Sequence, residues 1–175
     1  MPYPSSARQA RPLDPPMLDA LAINYVGRYA TTRARLATYL RRKIALRGWA
    51  PDDPPLIEAI VERLAVAGYV DDRAFAEGRA RSLASRGYGH RRVALALDTA
   101  GVARSIADDL APDRDGAFVA AERYARRRRF GSFGASSLSP ADRQRQFAAM
   151  VRAGHDYELA RHFTETASRE TNRTE

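Results

Sequence analysis

Residues Gly68–Val102 read GYVDDRAFAEGRARSLASRGYGHRRVALALDTAGV. The stretch opens on adjacent carboxylates, Asp71 and Asp72, and passes through a basic turn, Gly87-Tyr88-Gly89-His90-Arg91-Arg92. Two readings compete for it. It is either a site with paired acids and a histidine, or a scaffold whose acids cap helices and whose cations face a polyanion. Neighbouring residues on a helix project roughly 100° apart. Asp71 and Asp72 therefore cannot converge on one bond as hydrolytic carboxylate pairs do. At a helix start, by contrast, they can accept hydrogen bonds from free N–H groups and complement the dipole. The stretch then predicts a helix from Asp71 or Asp72, with Phe75, Ala76, Arg79, Ala80 and Leu83 in line. A turn flanked by Gly87 and Gly89 follows, and then a helix over His90–Ala100 with Val93 and Leu97 inward and Gly101 as its stop.

The same spacing of three and four extends in both directions. It predicts helices over Met17–Tyr29, Arg33–Arg47 and Leu56–Ala67 upstream. Thr31 and Thr32 are placed to cap the second of these, and Ile57, Ile60, Val61 and Leu64 form the buried stripe of the third. Downstream it predicts Ala103–Ala111, Asp113–Arg129, a helix capped by Ser139-Pro140 and running to Ala153, and Tyr157–Thr164. No alternating β-branched segment interrupts them, so the fold class is all-α. Gly48, Gly101 and Gly154 each follow an apolar residue by four positions: Ile44, Leu97 and Met150. Ile106 and Leu110 lie five and nine residues beyond Gly101, as Leu159 and Phe163 do beyond Gly154, and these are the expected buried pairs.

The expected architecture is therefore three tandem three-helix repeats, 17–67, 68–112 and 113–166, forming an elongated, curved array. A Pro-rich disordered N-terminus, 1–16, and a disordered tail, 167–175, flank it. A unit of about 40 residues is too small to bury an adequate core alone, and stacking on neighbours supplies the rest. A long concave face suits a large partner better than a small substrate.

Arg and Lys total 29 against 21 acids, a net charge of +8, and Lys43 is the only lysine. This balance points to a polyanionic partner. With no cysteine, thiol catalysis, disulfides and Cys-ligated zinc are excluded. No apolar run approaches the roughly 18 residues that cross a membrane, and the N-terminal stretch lacks the apolar core of a secretory signal. Phosphate-loop and nucleophile-elbow motifs are missing, so neither a cofactor nor catalysis is expected. His155 and His162 lie seven apart without a third ligand of convincing spacing, and no metal site is assigned. His90 reads as a surface histidine.

Two basic clusters remain. Arg126, Arg127, Arg128 and Arg129 end the long helix beside the loop FGSFGASSLSP, which is expected to be flexible. Four successive helical residues sweep most of the circumference, so most are solvated, and cations at a helix C-terminus are favourable in any case. They serve the dipole or contact phosphate or an acidic surface. Arg86, Arg91 and Arg92 form the second cluster, and Tyr88 among them packs on a neighbouring helix or stacks on a base.

Gly68-Tyr69-Val70-Asp71-Asp72-x-x-Phe75-Ala76, then Arg79, Arg86-Gly87-Tyr88-Gly89, Val93, Leu97 and Gly101-Val102, resembles the RecX regulatory protein family. The match is strong over Gly68–Val102 and weaker over 17–67 and 113–166. The resemblance implies a cytoplasmic, monomeric regulator without catalytic activity. Such a regulator binds the groove of RecA–DNA filaments and suppresses strand exchange, ATP hydrolysis and coprotease activity, with DNA contacted directly or through the filament. It makes Arg79, Arg86, Tyr88, His90, Arg91, Arg92 and Arg126–Arg129 the candidate partner-facing residues. Gly68, Tyr69, Asp71, Asp72, Phe75, Gly87, Gly89, Val93, Leu97 and Gly101 become the structural motif. One departure stands out: His155 occupies the position of an aromatic after the last repeat's glycine, and Tyr157 is the candidate to fill the gap. A direct nucleic-acid-binding helical module acting without RecA remains the alternative, since basic helix–turn–helix units can coat DNA on their own.

Overall fold

The computed structural model describes residues 11–134 and 138–165. Among them the chain forms nine α-helices and one 3-10 turn, and its only β feature is an isolated bridge between Leu13 and Trp49. The helices are α1 Pro15–Val26, α2 Arg33–Arg47, α3 Ile57–Val66, α4 Asp72–Ser85, α5 His90–Asp98, α6 Arg104–Asp109, α7 Arg114–Arg128, α8 Pro140–Arg152 and α9 Tyr157–Glu165, with the 3-10 turn at Gly131–Phe133. They divide into two compact units that meet inside α4, between Phe75 and Ala76, rather than at Gly68.

In the first unit, α1, α2 and α3 close over Leu18, Leu36, Leu40, Ile60, Leu64 and Val70. The expectation of disorder over 1–16 is corrected for its last residues. Leu13 is fully buried in this core and exchanges backbone hydrogen bonds with Gly48 and Ala50, both under 3 Å. Pro15 and Pro16 begin α1 behind the Asp14 cap, whose carboxylate accepts from Met17 N at 2.9 Å. A Pro pair is tolerated there because the first-turn N–H groups have no intrahelical acceptor. Residues 1–10 and the tail 167–175 lie outside the described residues.

The core of the second unit gathers Ala121, Tyr124, Ala125, Met150, Ala160 and Phe163 from α7, α8 and α9. Leu97 is fully buried on α5. Ile106 and Leu110 are only half-buried, contrary to expectation, since the six-residue α6 packs mainly on α5. Within the loop FGSFGASSLSP, expected to be flexible, Gly131–Phe133 form a 3-10 turn. Gly131 is buried in the 3-10 turn, accepts no side chain without a clash against Phe163 O, and donates to Gln146 Oε1 at 3.0 Å. Residues 135–137 of that loop lie outside the described residues.

The two acids of the opening motif do cap helices, but not the same helix. Asp71 Oδ1 accepts from Ala74 N at 2.9 Å, within α4. Asp72 Oδ1 reaches back 39 residues to accept from Arg33 N, also at 2.9 Å, at the start of α2. Thr32 completes that α2 cap by accepting from Arg35 N at 3.2 Å. Asp71→Ala and Asp72→Ala should each cost about 1 kcal/mol in urea unfolding.

Five helices end in one hydrogen-bond pattern. A residue two to four positions past the helix donates to a carbonyl five positions back: Tyr69 to Leu64, Tyr88 to Leu83, Val102 to Leu97, Phe130 to Ala125 and His155 to Met150. The residue before each donor adopts a left-handed conformation. Four of them are glycines, Gly68, Gly87, Gly101 and Gly154, and the fifth is Arg129 at φ 55°. A Cβ in this region costs about 1–2 kcal/mol against right-handed backbone. Arg129→Gly should therefore raise the thermal midpoint, with a gain of about 0.5–1 kcal/mol.

Candidate polyanion interface

The Gly87–Arg92 turn is expected at a surface, yet its backbone is buried and its side chains divide. Gly87 and Gly89 have no room for a Cβ. One added at Gly87 would lie 2.6 Å from Tyr124 N, and one at Gly89 would lie 2.2 Å from Gly154 O. Gly89 N donates to Ala153 O at 2.9 Å, which ties the start of α5 to the end of α8. Gly154 completes the contact, since a Cβ there would meet Arg92 N at 2.4 Å. Two glycines thus let two helix ends approach backbone to backbone.

His155 locks this junction. It is 2% exposed, and its Nε2 lies 2.9 Å from Gly87 O. A carbonyl only accepts, so Nε2 carries the proton. The ring also packs 5.6 Å from that of Tyr124. His155 itself therefore takes the aromatic position, and Tyr157, the expected substitute, is 59% exposed. A signal for this lies in the repeat: Trp49, Val102 and His155 each follow one of the three repeating glycines, and each turns inward. Burial holds the imidazole below its ordinary pKa of 6.5, against the opposing pull of the Gly87 hydrogen bond and Asp156, with His90 adding to the lowering. With the folded value depressed, the unfolded chain takes up the proton first. The stability from neutral His155 is fully present above about pH 6.5 and is lost as pH falls through the folded value. Lowering pH from about 7.5 to about 5.5 should lower the urea midpoint, and His155→Gln, an uncharged Nε2 donor, should flatten that slope.

Tyr124 joins the two basic clusters. Its ring lies 6.1 Å from that of Tyr88, with the Arg92 guanidinium 6.0 Å from Tyr88 and the Arg128 guanidinium 5.7 Å from Tyr124. Arg123 adds a bond from Nη1 to Ala84 O at 3.4 Å, holding α7 to the end of α4. Tyr88 is half-buried, with its ring against Tyr124 of α7.

The candidate arginines are all exposed but differ in what they already hold. Arg91 pairs with Asp156 at 2.9 Å, and Arg126 pairs with Glu122 at 2.9 Å while lying over Phe133. Arg79, Arg86, Arg92, Arg127, Arg128 and Arg129 have no carboxylate partner among the described residues. Arg79 stands on α4 outside the tyrosine stack, and His90 is exposed at the start of α5. The first turn of α5 contains no acid and holds two arginines, where the helix dipole favours anions. Asp156 relieves Arg91 there, but nothing among the described residues relieves Arg92. A concavity of about 850 Å3 lies beside the turn, and Val93, Leu110, Ala117 and Leu159 help line it. Rim groups such as Asp108, Asp156 and His155 are engaged by Arg104, Arg91 and Gly87 O. No group of three or more potential metal ligands occurs among the described residues.

The family model for the second three-helix domain of RecX matches residues 71–110. A regulatory protein RecX of Halorhodospira halophila is 36% identical over 126 residues, covering 72% of this chain and 74% of the relative. The chain belongs to the RecX family. A second RecX regulatory protein, from Myxococcus xanthus, is 30% identical across 88% of this chain and 87% of its own length. Among solved structures, RecX from Lactobacillus salivarius superposes with a TM-score of 0.59 at 20% identity, covering 83% of this chain and 91% of that one. At that identity the likeness is one of fold, a RecX-type succession of three-helix units. The matched segment begins at the Asp71 cap and ends at Leu110, so it contains the whole Gly87–Arg92 turn. No described helix is long and apolar enough to cross a membrane.

Proposed function

We propose that this chain is a non-enzymatic, monomeric, cytoplasmic regulator that binds RecA–DNA filaments. It inhibits their recombinase, ATPase and coprotease activities, and so modulates recombination, repair and the SOS response. Its working division is 17–67, 68–112 and 113–166, three repeats of three helices. The observation that carries the reading is Arg92. It has no carboxylate partner among the described residues, in a helix turn whose dipole opposes it, and it lies over Tyr88 of the Tyr88–Tyr124 pair that brings in Arg128. A cation kept where it weakens its own helix marks a surface selected for binding rather than folding. Family membership favours the filament as that polyanion. The test is the steady-state ATPase of RecA on single-stranded DNA with increasing protein. Inhibition that weakens as salt rises supports the reading, and undiminished ATPase at saturating protein rejects it. Direct coating of DNA without RecA is the second reading, favoured by the same unpaired arginines.

A further inference from the structure

The helices α1 and α2 carry a second cationic surface, separate in sequence from the one above. Between Asp19 and Asp52 the chain has no carboxylate side chain, yet it holds Arg28, Arg33, Arg35, Arg41, Arg42, Lys43 and Arg47. Three of these are occupied. Arg33 and Arg41 pair with Glu62 and Glu58 of α3, and Arg47 donates to Arg11 O at 2.7 Å. The nearest acid, Asp19, pairs with Arg63 of α3 at 2.6 Å.

The other four cations have no carboxylate among the described residues, and two of them stand over aromatic rings. Arg35 lies 5.2 Å over Phe75, and Lys43 lies 5.3 Å over Tyr39. Tyr39 stacks on Tyr25 at 4.1 Å with 18° between ring planes, and Tyr25 meets Tyr29 at 5.4 Å. Arg28 adjoins Tyr29, which is 58% exposed and ends the ladder. Arg35, Tyr39 and Lys43 follow at intervals of four along α2 and so share one face. Core packing accounts for Tyr25 and Tyr39, both of which flank the first unit's interior. It does not account for Tyr29, nor for four cations without acids on the side of α2 that α3 leaves open.

We propose that this face binds single-stranded nucleic acid directly, with a base stacked on Tyr29 and phosphates held by Arg28, Arg35, Arg42 and Lys43. Rings interleaved with unpaired cations suit a strand whose bases are free to stack, whereas a duplex offers only its phosphates. The site uses no residue of the α4–α7 interface and requires no RecA, so it stands or falls apart from the filament reading.

Lys43, the sole lysine, gives a direct test. Acylation by an amine-selective reagent is followed by mass spectrometry with oligothymidylate of about 20 nucleotides, enough to span such a site. The chain's α-amine serves as the internal reference. The bare strand should slow Lys43 acylation severalfold and leave the α-amine unchanged, and a duplex of equal length should protect less. In anisotropy titrations Tyr29→Ala should weaken oligothymidylate binding about tenfold, as loss of one stacked base does. Arg42→Glu with Lys43→Glu should reduce the salt slope by about 1.4, at about 0.7 per phosphate on a single strand. Equal protection by duplex and single strand would overturn the stacking claim. Protection only by RecA-coated strands, or none at all, would overturn the site.

Discussion

Gly89→Ala is expected to destabilise the second unit by about 3 kcal/mol or more, beyond the usual range for overpacking, because the obstacle is backbone. The local conformation gives no warning of this, since Gly89 sits at φ −74°, where alanine fits without strain. The loss comes from approach alone: the new Cβ would lie 2.2 Å from Gly154 O and 2.5 Å from His155 N, and neither can swing aside as a side chain would. Gly68→Ala is the matched control. It has the unfavourable φ of 79° but nothing within 4 Å, so it should cost only about 1–2 kcal/mol. Gly154→Ala combines both penalties, at φ 93° with Arg92 N 2.4 Å away. Urea unfolding of the three variants orders them directly. A Gly89→Ala loss no larger than that of Gly68→Ala would show that α5 and α8 do not meet as closely as described.

Triple reversal at Arg86, Arg92 and Arg127 should reduce affinity for RecA–DNA filaments about a hundredfold at near-physiological salt, from lost contacts plus repulsion. Folding should not suffer. Arg92→Glu alone should stabilise the chain by about 0.3–1 kcal/mol, because it puts an anion in the first turn of α5. Opposite signs for stability and binding at one residue are something a merely structural arginine would not produce. Reversal of Arg145 and Arg161, exposed arginines paired within α8 and α9 to Asp142 and Glu165, should change affinity little. Measurement by anisotropy, with the helical circular dichroism signal as the folding check, separates these outcomes. Unchanged filament affinity in the triple variant would place the binding face elsewhere.

Much of the helical plan was legible because its signals are local. Glycines stop α3, α4, α5 and α8, Asp113 and Ser139 cap α7 and α8, and the stripe on α3 repeats at three and four. What escaped the sequence reading depends on distant partners or on residues acting out of type. Leu13 is a lone apolar residue in a Pro-rich polar lead-in, and only its pairing with Trp49 shows it belongs to the core. Arg129 takes a conformation normally signalled by glycine. His155 looks like a departure from the aromatic pattern until its hydrogen bond to Gly87 shows it completing the junction. The basic character of the Gly87–Arg92 turn is plain in the sequence. The burial of Gly87 and Gly89 is not, because it comes from contacts with α7 and the end of α8 that no local pattern encodes.

The most direct test of the regulator reading is a co-sedimentation experiment. The protein is mixed separately with RecA–single-stranded DNA filaments, free RecA and bare DNA, at equal concentrations and at about 0.15 M salt, where weak surface attraction is largely screened. The account predicts strong recovery with filaments and much weaker recovery with free RecA or bare DNA. Recovery with bare DNA equal to that with filaments, or none with filaments, would contradict it.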